Sequence, residues 1–138
     1  MDYDTGRIFG IHPVSANRDL RTLLTGHPNR KTREGAAYGL MEIGPPDLAA
    51  VLVEALRSSK LRPGRVGTFL SKLEVEDSVL LDLLACEDEP VKRAAALALD
   101  EEILRERVRG AVLQAAKACI ERNQIKLAPQ TRRRILNA

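Results

Sequence analysis

Thr32-Arg33-Glu34-Gly35-Ala36-Ala37-Tyr38-Gly39-Leu40 and Val91-Lys92-Arg93-Ala94-Ala95-Ala96-Leu97-Ala98-Leu99 are two versions of one pattern. Position by position it reads β-branched, cation, charged, small, Ala, Ala, large, small, Leu. The two stretches lie 59 residues apart, and a weaker copy, Arg62-Pro63-Gly64-Arg65-Val66-Gly67-Thr68-Phe69-Leu70, falls midway. A repeat of about 30 residues on helical spacing predicts stacked helix pairs, each burying its apolar face against its neighbours.

Composition agrees. The apolar residues are mainly Ala and Leu, Trp is absent, and Phe9, Phe69, Tyr3 and Tyr38 are the aromatics. Ala, Leu, Glu and Arg favour helix, whereas strands favour β-branched and aromatic residues. Upstream of the first copy, Ser15 or Asn17 can cap a short helix presenting Leu20, Leu23 and Leu24, and Gly26 and Pro28 stop it. Asn29 is the expected N-cap of the next helix, whose stripe is Ala36, Ala37, Leu40 and Ile43. The Gly44-Pro45-Pro46 corner then leads into a helix opened by Asp47, with Leu48, Val51, Leu52, Ala55 and Leu56 on its core face. So short a corner predicts an antiparallel hairpin.

The remaining helices are expected from about Pro63 to Leu73, from Asp77 or Ser78 to Cys86, and from Pro90 to Asp100. A partner should follow from about Leu104 to Arg122, with a last short helix from Thr131 to Leu136. Gly64 and Gly67 each weaken the middle helix by up to ~1 kcal/mol, which predicts a bent or irregular unit there. Residues 1–14, punctuated by Gly6, Gly10 and Pro13, read as extended or poorly ordered. Residues 15–138 read as a single helical-repeat domain.

The run from Thr32 to Gly44 resembles the first helix of a HEAT repeat of the short bacterial kind. Val91 to Leu99 resembles it again, and Pro63 to Leu73 more distantly, so the resemblance spans roughly residues 27–122. It implies an all-α fold, a short α-solenoid of antiparallel helix hairpins with about seven or eight helices. HEAT-like families usually bind proteins, some bind nucleic acid along the concave face, and one bacterial branch includes bilin lyases. The lyase reading fails on this chain because few aromatics could line a cofactor pocket.

Charge is strongly patterned beneath a net +3. Residues 57–73 carry five cations and no acid; residues 74–102 carry ten acids against Lys92 and Arg93. Residues 103–138 carry nine cations against Glu106 and Glu121. Such asymmetry can steer partners of either sign.

Catalytic chemistry finds no pattern. His12 and His27 each precede a Pro, away from any acid or Cys at a recognisable spacing. Cys86 and Cys119 sit in apolar helical runs as small hydrophobes, and no Cys-x-x-Cys or His-x-x-x-His pattern offers a zinc site. No Gly-rich phosphate loop or nucleophile elbow occurs. We therefore expect no catalytic, cofactor-binding or metal-binding residues.

Six cations stand out instead: Arg30, Lys31 and Arg33 in the first turn of one helix, and Lys60, Arg62 and Arg65 around the start of another. Cations there oppose the helix dipole and suit an anion such as phosphate. In stacked repeats the two clusters would share an edge. With no aromatics interleaved, nucleic-acid binding there would be to the backbone and salt-dependent. The plainer reading pairs Arg33 and Lys92 with acids and leaves the rest solvated. No apolar run approaches a membrane span of about 20 residues, and the N-terminus is acidic without a signal sequence. The expectation is a cytoplasmic, non-enzymatic adaptor for a protein partner, the alternative being a nucleic-acid backbone binder.

Overall fold

Asn29 and Gly44 bracket the first copy of the repeat as helix ends should. The Asn29 side chain accepts from the Lys31 N–H at 2.8 Å and the Thr32 N–H at 3.3 Å, while Gly44 closes the helix in the left-handed region at φ 67°. The structure, a computed structural model, describes residues 13–138, so most of the segment read as extended lies outside the described residues. Among the described residues the chain is all-helical, with eight α-helices and no strand. They fall into two compact units divided after Leu61.

The first unit holds α1 (Pro13–Gly26), α2 (Arg30–Ile43) and α3 (Leu48–Arg57). Helix α1 starts earlier than the expected caps at Ser15 or Asn17. Proline's fixed φ suits a first helical turn, and Asn17 instead sits inside the helix, accepting from Arg21 Nε at 2.8 Å. Leu20 and Leu24 are buried on α1, and Ala36, Ala37, Gly39 and Leu40 on α2. These two helices make the unit's most extensive packing, more than α2 makes with α3. The small side chains of α2 permit that approach. On α3, Leu48, Leu52, Ala55 and Leu56 are buried, as its spacing predicts, while Val51 is only partly buried and Val53, outside the expected stripe, is buried.

The second unit holds α4 (Pro63–Lys72), α5 (Asp77–Ala85), α6 (Glu89–Leu104), α7 (Gly110–Arg122) and α8 (Pro129–Leu136). Packing there links alternate helices: α4 with α6, α6 with α8, and α5 with α7, while α5 also meets α6. The α6–α7 boundary differs from expectation. Helix α6 runs on through Leu104, which is exposed, and α7 begins only at Gly110. Glu106 in the connection and Gly110 at the first position of α7 both take positive φ, 56° and 61°, and Val108 is buried between them. The Leu104–Val108 spacing fits a helix, but the chain turns there to deliver two arginines, described below.

Helix α4 runs unbroken from Pro63 to Lys72, and Gly67 is the reason it packs closely. A Cβ at Gly67 would lie 2.8 Å from Leu97 Cβ, 3.0 Å from the Ala94 carbonyl oxygen and 3.5 Å from the Ala98 nitrogen of α6. Opposite, Ala94, Ala95, Ala96 and Ala98 are all buried. The glycine that costs propensity thus allows two backbones to meet, and packing outweighs the penalty.

Gly67→Ala should therefore destabilise the protein by about 1–3 kcal/mol through overpacking against a backbone oxygen. Gly35→Ala, at an exposed helical site with nothing within 4 Å, should stabilise it by about 0.5–1 kcal/mol. Urea denaturation of both variants checks the pair; equal and favourable effects would show that α4 and α6 are not in close contact.

Candidate functional site

Of the six cations singled out in the sequence, Arg33 and Lys60 are partly buried and the other four are exposed. Arg30 and Lys31 are exposed in the first turn of α2, beside the Asn29 cap and with no acid in that turn. Arg33 is partly buried and already engaged: its Nε donates to the Lys60 carbonyl at 2.9 Å and its Nη1 to the His27 carbonyl at 2.8 Å. One guanidinium thus ties the loop before α2 to the turn after α3. It pairs with backbone carbonyls rather than with the acid expected. Lys60 is partly buried, and its own N–H donates to the Ala55 carbonyl at 2.8 Å. With Arg21, Thr25, Val51, Glu54, Ala55 and Ser58 it lines a cleft of about 240 Å³. Arg62, at the N-cap of α4, and Arg65, in its first turn, are exposed and belong to the second unit.

Other cations that read as surface are internal ties. Arg21 makes a two-pronged pair with Asp47, its Nη1 donating to Oδ2 at 2.9 Å and its Nη2 to Oδ1. Asp47 stands at the N-cap of α3 but makes no side-chain cap there; its oxygens face α1 instead. The hydrogen bonds from Arg21 hold the Asp47 carboxyl below the usual carboxylate range, and the same bonds raise Arg21. Arg134 of α8 grips Asp100 of α6 through two bonds of 2.6 Å, which raises the Arg134 guanidinium. Asp100 is largely buried, so this fork satisfies a carboxylate that water reaches only in part.

A larger network closes the far ends of α4 and α6. Glu102 and Ser71 are both buried. The Ser71 hydroxyl donates to Glu102 Oε2 at 3.2 Å and accepts from Arg105 Nη1 at 2.8 Å. Arg107 Nε donates to the same Glu102 oxygen at 2.9 Å, joined by its Nη2, which also reaches the Ser71 carbonyl at 3.2 Å. Its Nη1 reaches Glu74 Oε1 at 3.2 Å. The turn between α6 and α7 exists to bring Arg105 and Arg107 back to this point. The sequence held a usable signal. Asp100 and Glu102 fall in phase with the buried stripe of Ala95, Ala96 and Leu99, and acids on an apolar face need cations.

His27 and the two cysteines have these surroundings. His27 Nδ1 accepts from the Asn29 N–H at 3.0 Å, which ties the α1–α2 loop. His12 lies outside the described residues. Cys86 and Cys119 are free thiols, partly buried and buried respectively; Cys119 Sγ accepts from Arg122 at 3.4 Å. Among the described residues, no three His, Cys, Asp or Glu side chains are grouped to hold a metal ion, and no helix is long and apolar enough to cross a membrane. No family model matches the chain, and no curated protein or solved structure matches it significantly.

Two measurements check this assignment of charges. Arg107→Gln leaves the buried Glu102 carboxylate with the Ser71 hydroxyl but no cation, and with the guanidinium itself about a third exposed the expected loss is roughly 1–3 kcal/mol. Arg109→Gln, where the exposed guanidinium meets only the Glu106 carbonyl, should change stability by less than about 0.5 kcal/mol. Equal losses at both positions would refute the network. For Asp47 the folded value lies below the unfolded one. Its contribution is therefore present above about pH 4 and is lost as pH falls through the depressed value. Carboxyl NMR titration should show Arg21→Gln returning Asp47 to the ordinary range; an unmoved titration would mean that Arg21 does not hold it.

Proposed function

We propose that this chain is a non-enzymatic, cytoplasmic HEAT-like adaptor that binds a protein partner through the solvated surfaces of its stacked helices. The observation that carries this reading is the alternate packing in the second unit, α4 on α6 on α8 and α5 on α7. That is the arrangement expected of helix pairs laid side by side, where each repeat contacts its neighbours and offers a continuous face. The matching burial of Ala36, Ala37 and Leu40 with Ala95, Ala96 and Leu99 supports treating the two stretches as equivalent rungs. Val79 on α5 and Leu104 at the end of α6 leave apolar side chains in solvent, material for contact with another chain.

The alternative, binding to a nucleic-acid backbone, draws support from Arg30, Lys31, Arg62 and Arg65, exposed in or beside helix starts that carry no first-turn acid. It is the weaker reading. Arg33 is consumed by carbonyls, and Arg105, Arg107 and Arg134 by side chains of their own unit. Fewer phosphate contacts mean weaker binding and a shallower salt dependence.

Purification of the tagged full chain from its source cells, with nuclease treatment and light scattering, separates the readings. The adaptor predicts a stoichiometric protein complex that survives nuclease and is unaffected by Arg62→Glu with Arg65→Glu. A nuclease-sensitive complex abolished by those reversals would replace it with the nucleic-acid reading. A chain that stays alone under gentle conditions would overturn both.

A further inference from the structure

The second unit contains a cleft of about 360 Å³ lined by Arg93 and Leu97 of α6, by Lys126, Leu127 and Ala128 of the α7–α8 connection, and by Thr131 of α8. Its charges are unbalanced. Arg93 is partly buried, and its Nε is fully shielded from solvent yet donates to no acceptor among the described residues. This contrasts with Arg107 and Arg134 of the same unit, whose donors are met by carboxylates. The acid one turn before Arg93 does not compensate it: Glu89 pairs with Lys92 at 3.4 Å and accepts from the Lys126 backbone N–H at 3.5 Å. Lys126 itself is exposed, with no carboxylate paired to its ammonium among the described residues.

The start of α8 adds to the same field. Ala128 stands at its N-cap without a side-chain acceptor, Pro129 opens it, and no acid lies in its first turn. First-turn N–H groups of an uncapped helix attract negative charge. Leu97 and Leu127 supply apolar wall beside the two cations. Three features, namely an arginine whose Nε meets no acceptor, a lysine without a carboxylate and a helix start without a side-chain cap, lie along one concavity large enough for a small ligand group.

We propose that this cleft is a recognition site for an acidic peptide segment, with a carboxylate between Arg93 and Lys126 and a neighbouring apolar side chain against Leu97 and Leu127. The proposal rests on the adaptor reading and gives it a location. A carboxylate suits the planar guanidinium fork of a cleft-lining arginine that makes no ion pair among the described residues. The apolar wall favours a peptide over a bare inorganic anion. Because Arg93 makes no hydrogen bond within its unit, its removal should cost the fold nothing, while removal of a structural arginine such as Arg107 should.

The test uses the full chain with a fluorescein-labelled peptide of alternating leucine and glutamate, its leucine–glutamine counterpart, and inorganic phosphate. The expected result is saturable anisotropy for the glutamate peptide alone, with amide NMR shifts centred on Arg93, Lys126 and Thr131. Arg93→Gln and Lys126→Gln should each weaken binding about tenfold or more. Arg133→Gln, an equal charge change at an exposed position of α8, should leave binding unchanged, and Arg93→Gln should not lower thermal stability. Binding of phosphate without the peptide, equal weakening by Arg133→Gln, unfolding by Arg93→Gln, or no shifts at the cleft would each overturn the proposal. A native complex that forms equally well with Arg93→Gln would overturn this site while leaving the adaptor reading intact.

Discussion

The contact between α4 and α6 at Gly67 is the constraint on which the second unit depends. Where a Cβ would meet a backbone oxygen, interhelical distance is set by backbone rather than by side-chain choice. A surface of glycine and alanine packs closely but carries few features that specify how far one helix slides along the other. The register is fixed elsewhere, at the ends of the same two helices. There Ser71 and Glu102 meet through directional hydrogen bonds, with Arg105 and Arg107 closing the remaining acceptors. Close packing supplies the stabilisation and the polar network supplies the alignment. The network is costly unless complete, which is why the chain spends a whole irregular connection returning two arginines to it.

The charge blocks acquire a different meaning in this light. An acidic stretch over residues 74–102 followed by a basic one over 103–138 suggests surfaces aimed at outside partners. Much of it is internal complementarity. Glu74 and Glu102 meet Arg107, Glu101 meets Arg105, and Asp100 meets Arg134. Acids on α6 are matched by cations that come later in the chain and fold back. Arginine suits this work because five donors in a fixed plane can satisfy two or three acceptors at once, carbonyls included, as Arg33 does between His27 and Lys60.

What could be read from the sequence was the periodic and the local. Asn29 as a cap, Gly44 as a left-handed stop, the buried face of α3 and the helical character of both repeat copies all follow from interactions within a few residues. What could not be read depended on partners distant in sequence. Gly67 looks like a weak point until α6 is placed against it. Leu104 and Val108 look like one helical stripe until Arg105 and Arg107 are seen to need a turn between α6 and α7. Of the six candidate cations, Arg33 was spent on carbonyls whose positions only the folded unit defines, whereas Arg30 and Lys31 stayed at the surface as their place in an exposed first turn implies.

The two strong copies of the repeat also show where this chain has diverged from its own pattern. Aligned on their Ala pairs, Arg33 corresponds to Lys92, and the buried Glu34 corresponds to Arg93. In the first copy the cation is absorbed by loop carbonyls. In the second, Lys92 turns to Glu89, and the next position carries an arginine where the first copy buries an acid. A shielded donor without an acceptor lowers stability on the order of 1–3 kcal/mol. Substitution by a shorter uncharged side chain would remove that cost without disturbing the neighbouring Ala94–Ala96 contact. An anion held in the Arg93 cleft binds the folded unit alone, so binding there and stability are linked in the same direction.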